Sequence, residues 1–104
     1  MNKFDDREKS FEKKFQMDEE LQFKIASRSN KYLGEWVSSQ LQKNEVETKE
    51  YVQEIIRSDL QEPGQEDVFR KIKKDFQVAS LSIEEKEIRD QMEKALLRAK
   101  EDFK

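Results

Sequence analysis

Cysteine and histidine are both absent from the 104 residues of this chain. Without cysteine there is no disulfide framework, no thiolate nucleophile and no cysteine-bound zinc. Without histidine there is no imidazole base, no histidine metal ligand and no side chain that ordinarily titrates near neutral pH. The common catalytic triads need one of these residues, so enzymes become the weakest class, and we expect no cofactor and no metal site.

Glycine and proline are scarce, with two glycines and one proline in the whole chain. A β-sandwich or barrel needs a turn signal every ~8–12 residues, which this chain cannot supply. Gly34 and Gly64 stand alone, so no glycine-rich phosphate loop is present. No apolar run approaches the ~20 residues of a membrane span, and the first residues lack the apolar core of a signal peptide. We therefore expect a cytoplasmic protein that does not insert into the membrane.

Charge is abundant but nearly balanced, because 21 basic and 24 acidic residues leave a net charge of −3. The charged fraction is 43%, against ~25% in an average globular chain, and only 34% of the residues are hydrophobic. This composition predicts one small domain with solvated, salt-bridged surfaces. The pI near 5.2 argues against nucleic acid as a partner.

Helical periodicity extends through almost the whole sequence and predicts an all-α fold. We expect an arm over residues 4–16, a break at residues 16–18 and a long helix over residues 18–42. A second helix follows Asn44, whose spacing to Glu47 is that of a capping box, although Thr48 is a rival cap. This helix ends at Pro63 and Gly64. A third covers residues 66–79, and Ser82 with Glu85 forms the capping box of a fourth. The short connections predict antiparallel packing, and so a four-helix bundle over residues 18–104 behind an arm at residues 1–17.

Each predicted helix has one apolar face, and these faces define the expected core. Trp36 lies at the centre of the longest face, whereas Phe23 and Leu41 fall outside it. The expected core residues are Leu21, Ile25, Tyr32, Leu33, Trp36, Tyr51, Val52, Ile55, Ile56, Leu60, Val68, Phe69, Ile72, Phe76, Ala79, Ile88, Met92, Ala95, Leu96, Ala99 and Phe103.

Two kinds of charged cluster deserve a functional interpretation beside the structural one. Adjacent acids at residues 5–6 and 84–85 point ~100° apart on a helix, so they do not share a ligand and are best explained as first-turn acids. Four basic residues lie within residues 70–74, and Lys71, Lys73 and Lys74 could contact phosphate. Because apolar residues alternate with them, the solvated side of an amphipathic helix is the favoured interpretation.

The arm carries three phenylalanines at helical spacing on an otherwise charged segment. Phe4, Phe11 and Phe15 stand at i, i+7 and i+11, and therefore share one helix face. One interpretation is that the arm folds back on the bundle, and the pattern alone slightly favours it. The other is a ligand helix that enters a groove on a partner protein. A segment this short is marginal as an isolated helix in water. This makes the ligand-helix interpretation almost as well supported as folding back on the bundle.

Several stretches of the chain resemble a known family. They are FDDREKSFEKKF at residues 4–15, DEEL at 18–21, NKYLGEW at 30–36 and EDVFRK at 66–71. Together they resemble the zeta subunit family, the alphaproteobacterial inhibitors of F-type ATP synthase. The resemblance implies a four-helix bundle with an N-terminal segment that inserts as a helix at a catalytic interface of the ATPase head. Carried over to this sequence, it implies partner contacts at Phe4, Asp5, Arg7, Phe11 and Phe15.

The expected function is therefore non-enzymatic inhibition of ATP hydrolysis. The resemblance implies the catalytic head of F-type ATP synthase as the partner and a location peripheral to that membrane-bound complex. We expect the protein to be a monomer when free. Two alternatives stay open: a general helical adaptor whose arm belongs to its own core, and a bundle that binds a small nucleotide through Lys71, Lys73 or Lys74.

Overall fold

Four helices account for most of the chain. The computed structural model describes the backbone of residues 3–61 and 65–104, and the side chains of residues 19–59 and 65–104. The helices are α1 (Lys3–Gln40), α2 (Glu45–Gln61), α3 (Glu66–Val78) and α4 (Glu85–Asp102), and these backbone ranges contain no strand. The prediction of a small all-α four-helix bundle is confirmed.

The helices pack in cyclic order, with α1 against α2 and α4, and α3 against the same two neighbours. Side-chain pairs across the α3–α4 interface show its direction. Glu66, the first residue of α3, contacts Arg89, while Lys73 near the end of α3 contacts Glu85 at the start of α4. The contacts across the α1–α2, α2–α3 and α1–α4 interfaces are likewise antiparallel, because later residues of one helix meet earlier residues of its neighbour. The predicted antiparallel packing is therefore confirmed.

The start of α2 follows from its local sequence. The Asn44 side-chain oxygen accepts from the Glu47 N–H at 2.8 Å, and the Asn44 N–H donates to the Glu47 carboxylate at 3.0 Å. This reciprocal pair satisfies two backbone donors that a helix terminus leaves unbonded, and it confirms the predicted capping box. The helix ends at Gln61; Leu60 is one of its residues, but its side chain lies outside the described residues, as do Pro63 and Gly64.

Two helix ends use left-handed residues that are not glycine. Gln42 has φ 57° and Ser80 has φ 59°. The N–H of the following residue bonds back to the carbonyl of Ser38 in the first case and of Phe76 in the second, each at 2.9 Å. This six-to-one hydrogen bond is the Schellman motif, whose left-handed position usually holds glycine. Both connections are therefore formed at some conformational cost.

Two local predictions are wrong. The break expected at residues 16–18 does not occur, because α1 is continuous from Lys3 to Gln40. Gln16 and Met17 are good helix formers, and the intrinsic cost of an aspartate inside a helix is below about 1 kcal/mol. The capping box of Ser82 and Glu85 is also absent: α4 starts after Glu84 without a side-chain cap, and the Glu85 carboxylate binds Lys73 instead.

The core lies where all four helices meet. Trp36 is half-buried and meets Phe76 edge to face, with ring centroids 5.7 Å apart and planes at 88°, which links α1 to α3 across the bundle. The core residues are Leu33, Val37, Tyr51, Ile55, Val68, Phe69, Ile72, Phe76, Ile88, Met92 and Ala95. Most were predicted, but Val37 was not.

Two predicted core residues are exposed, namely Leu21, with 38% of its surface accessible, and Ala79. Among the described side chains of α1, the first buried residue is Ser29, two turns after Leu21. Leu41, which fell outside the single apolar face, packs on the core because α1 contacts neighbours on two sides.

Small and polar residues line the buried side of α1. Ser29, Asn30, Gly34 and Ser38 are all buried. A Cβ at Gly34 would lie 2.9 Å from the Val52 Cγ2 atom and 3.1 Å from the Val52 Cα atom. Glycine is therefore required at position 34, because the α2 backbone lies too close for a side chain. In the same interface the Asn30 amide donates to the Asp59 carboxylate at 2.9 Å.

Substitution of Gly34 tests this close approach. We expect Gly34→Ala to lower the free energy of unfolding by about 1–3 kcal/mol, because the methyl group forces α1 and α2 apart. Helix propensity alone predicts the opposite, a gain of about 1 kcal/mol. Urea denaturation distinguishes them. In the Gly34→Ala background, Val52→Ala should cost less than it does alone, since it removes one clashing atom; simple additivity would contradict the packing argument.

The left-handed residue that ends α3 gives a second stability test. Ser80→Gly should raise the free energy of unfolding by about 0.5–1 kcal/mol, because it removes the steric cost of the left-handed conformation. The matched control is Gln77→Gly, at an exposed helical position of α3, which should lose about 1 kcal/mol. A thermal midpoint that falls for both variants would be inconsistent with the strained turn.

Candidate functional site

The five residues predicted to contact a partner all belong to α1. The backbone is helical from Lys3 onward and thus across Phe4, Asp5, Arg7, Phe11 and Phe15. Their side chains lie outside the described residues, so their contacts stay a prediction, as does the division of the chain at residue 17. On a helix, positions 4, 11 and 15 fall within about 40° of one another.

The N-terminal part of α1 extends beyond its neighbours α2 and α4. Arg28 contacts Asp102, the last residue of α4, at 3.4 Å, and Asn30 contacts Asp59 near the end of α2. The preceding turns of α1 therefore lie beyond the ends of both neighbours. Phe23, in this stretch, has 61% of its surface exposed. The helix continues without interruption from the bundle to the predicted arm.

A groove of about 750 Å³ lies between α1, α2 and the end of α4. Val52, Ile56 and Phe103 supply apolar surface, and exposed Phe23 lies at the end from which α1 leaves the bundle. Sequence periodicity had marked Phe23 as outside the core face but did not reveal the groove. Its lining comes from three separate helices, so only the folded chain brings these residues together.

Basic side chains dominate the charge of this groove. Lys24, Arg28, Lys31 and Lys49 line it, and Glu35 is the one acidic residue in the lining. Arg28 binds Asp102 and also lies over the Phe103 ring, 5.3 Å from its centroid. No carboxylate among the described side chains lies within ion-pair distance of Lys24 or Lys31. The groove thus has two cationic groups free to meet an acidic ligand.

The basic cluster on α3 serves the fold. Lys71 contacts Asp75 at 3.1 Å and Glu54 on α2 at 3.8 Å. The Tyr51 hydroxyl donates to the Asp75 carboxylate at 2.6 Å, and burial, followed by this hydrogen bond, raises the pKa of Tyr51. Lys73 pairs with Glu85 across the α3–α4 interface. Two of the three lysines proposed for a nucleotide are therefore engaged with carboxylates, which favours the structural interpretation.

Glu66 at the start of α3 and Glu85 at the start of α4 pair across the interface between these helices. A hydrogen bond from Arg89 holds the pKa of Glu66 below its usual range, and one from Lys73 does the same for Glu85. Within the described side chains, no group of three acidic residues is arranged to hold a metal ion. These carboxylates are thus explained by helix pairing.

The fold and its surface define a small all-α bundle whose first helix extends beyond the other three. The chain belongs to the ATPase inhibitor subunit zeta family, whose family model matches residues 1–102. It is accordingly a regulatory protein rather than an enzyme, and the resemblance seen in the sequence is confirmed. A comparison with curated protein sequences found no match. None of the helices, as far as the structure describes them, is long and apolar enough to cross a membrane.

The ion pairs predict how stability depends on pH. Glu66 and Glu85 have lowered pKa values in the folded chain, so their contribution is complete above the ordinary glutamate pKa of about 4.3 and is lost as pH falls through the lowered values. We expect a constant thermal midpoint between pH 6 and 8, since the chain has no histidine, and a decline in acid.

Circular dichroism melts across this pH range provide the measurement. The thermal midpoint of the double variant Glu66→Gln/Glu85→Gln should fall less in acid than that of the unmodified chain. The reason is that the two carboxylates with lowered pKa values have been removed. A cooperative loss of helicity near pH 6.5 would contradict the assignment.

Proposed function

We propose that this chain stops ATP hydrolysis by an F-type ATP synthase, and that its N-terminal arm is the inhibitory element. The observation that carries the proposal is the family match, which begins at residue 1 and so includes the arm as well as the bundle. The arm enters a catalytic interface of the ATPase head as a helix. The protein is a monomer when free and is peripheral to the membrane-bound complex.

Each arm residue has a distinct role in the proposal. Phe4, Phe11 and Phe15 fill apolar pockets on the ATPase, and each buried ring contributes about 1.5–3 kcal/mol. Asp5 and Arg7 pair with charged groups of the partner and fix the register of the helix. Charge pairs of this kind determine orientation and association rate more than affinity.

The continuity of α1 supports this role for the arm. An isolated helix of this length is marginal, because forming the first turn is costly. Here the first turn is already formed, since α1 is held in the bundle from Ser29 onward and the arm extends the same helix. The bundle therefore lowers the cost of presenting the arm, and it also limits where the arm can reach.

Deletion of residues 1–15 separates this proposal from an adaptor whose arm is part of its own core. We expect helicity per residue and thermal midpoint to stay close to those of the full chain, because every buried residue in the described part of α1 lies at or after Ser29. Inhibition of ATP hydrolysis by the purified synthase of the same organism should disappear. Retained inhibition would refute the proposal, and a melted bundle would favour the adaptor.

Point variants sharpen the same test. Phe11→Ala should weaken inhibition by a few kcal/mol in binding free energy, roughly the cost of emptying a desolvated pocket. Lys13→Ala, about 200° away on the helix, is the matched control and should change inhibition little. Equal effects of the two substitutions would show that the aromatic face is not the inhibitory one.

A further inference from the structure

We propose that the groove between α1 and α2 is a second docking site, which receives an acidic amphipathic helix of the ATPase. This inference rests on the proposed function, because it assigns a partner contact to the bundle in addition to the arm. The groove lies entirely within described residues, and the contacts proposed for the arm do not use it.

The dimensions of the groove fit a short helix. Its lining on α1 extends from Phe23 to Glu35, which is about 18 Å along the helix axis. That length matches a little more than three turns of a docked helix. Val52 and Ile56 on α2, with Phe103 at the end of α4, offer an apolar floor for one face of such a helix.

The charges of the groove select an acidic occupant. Lys24, Arg28 and Lys31 stand at i, i+4 and i+7 along one edge, and Lys49 lies on the opposite edge. The net charge of the whole chain is −3, so the positive charge of the groove is opposite in sign to the net charge. Lys24 to Lys31 covers about 10 Å. Cations spread along a line match carboxylates at successive turns of a helix better than they match one compact phosphate group.

The location of the groove couples it to the arm. Its outer end is at Phe23, where α1 leaves the bundle toward residues 4–15. A partner that holds the arm would therefore meet the groove at high effective concentration, and two weak contacts on one rigid helix would reinforce each other. The groove then adds affinity and restricts how the bundle sits on the ATPase.

Charge reversal in the full-length chain tests the inference. We expect Lys24→Glu/Lys31→Glu to bind the purified ATPase head at least tenfold more weakly than the unmodified chain, with a larger difference at low salt. The matched control is Lys74→Glu/Lys86→Glu, which changes the net charge equally at two exposed lysines outside the groove and should stay within twofold. Circular dichroism verifies that both variants keep their helicity.

A variant of the apolar surface gives an independent readout. Phe23→Ala removes a ring that is 61% exposed, so the thermal midpoint should not change, while binding to the ATPase head should weaken severalfold. If both Lys24→Glu/Lys31→Glu and Phe23→Ala bind and inhibit like the unmodified chain, the groove proposal is overturned. The proposed function is unaffected by that result, because it depends on the arm.

A second probe keeps the groove testable should the chain fail to inhibit the ATPase. The probe is a fluorescent 18-residue helical peptide with leucine along one face and glutamate elsewhere, and binding is measured by anisotropy. Binding to the unmodified chain and to Lys74→Glu/Lys86→Glu, but not to Lys24→Glu/Lys31→Glu, supports an acidic helix as the occupant. The proposal is overturned if the unmodified chain does not bind the peptide. It is also overturned if the unmodified chain binds ADP saturably instead, and Lys24→Glu/Lys31→Glu abolishes that binding.

Discussion

The close approach of α1 to α2 at Gly34 is the constraint on which the remaining architecture depends. With no side chain at this position, the two helices meet against Val52, and the small residues around it on α1 are buried with them. The same contact sets the register that brings Asn30 to Asp59. That register determines how far α1 extends beyond its neighbours and where the groove begins. A single glycine thus positions both surfaces to which we assign partner contacts.

Among the described side chains, ion pairs form between helices as well as along them. Opposite charges four residues apart, such as Glu66 and Arg70 or Glu85 and Arg89, are spaced to pair along one helix. Several of these residues instead bridge neighbouring helices: Glu66 binds Arg89, and Glu85 binds Lys73. Such exposed pairs contribute little stability individually. The pairs nevertheless show which residues of α3 and α4 face each other, which sequence spacing alone does not specify.

Features that depend on residues close in the sequence could be predicted. Features that depend on contacts with another helix could not. The four helices and the Asn44 cap follow from patterns within a few residues. The Ser82 cap is absent because α4 begins only at Glu85, whose carboxylate pairs with a lysine on α3. Leu21 was assigned to the core because periodicity continues past the point where α2 and α4 end. The arm residues came from family resemblance, while the groove combines three helices and had no signal in the sequence.

The uninterrupted course of α1 has a mechanical consequence. Its 38 residues form one rod of about 57 Å, anchored at one end by the packed core. A helix without a hinge transmits push, pull and twist along its axis. Any torque that a rotary enzyme exerted on the arm would be transmitted to the whole bundle. The viscous drag and the contacts of the bundle would then oppose rotation. Release of the arm would then require withdrawal along the helix axis rather than residue-by-residue peeling.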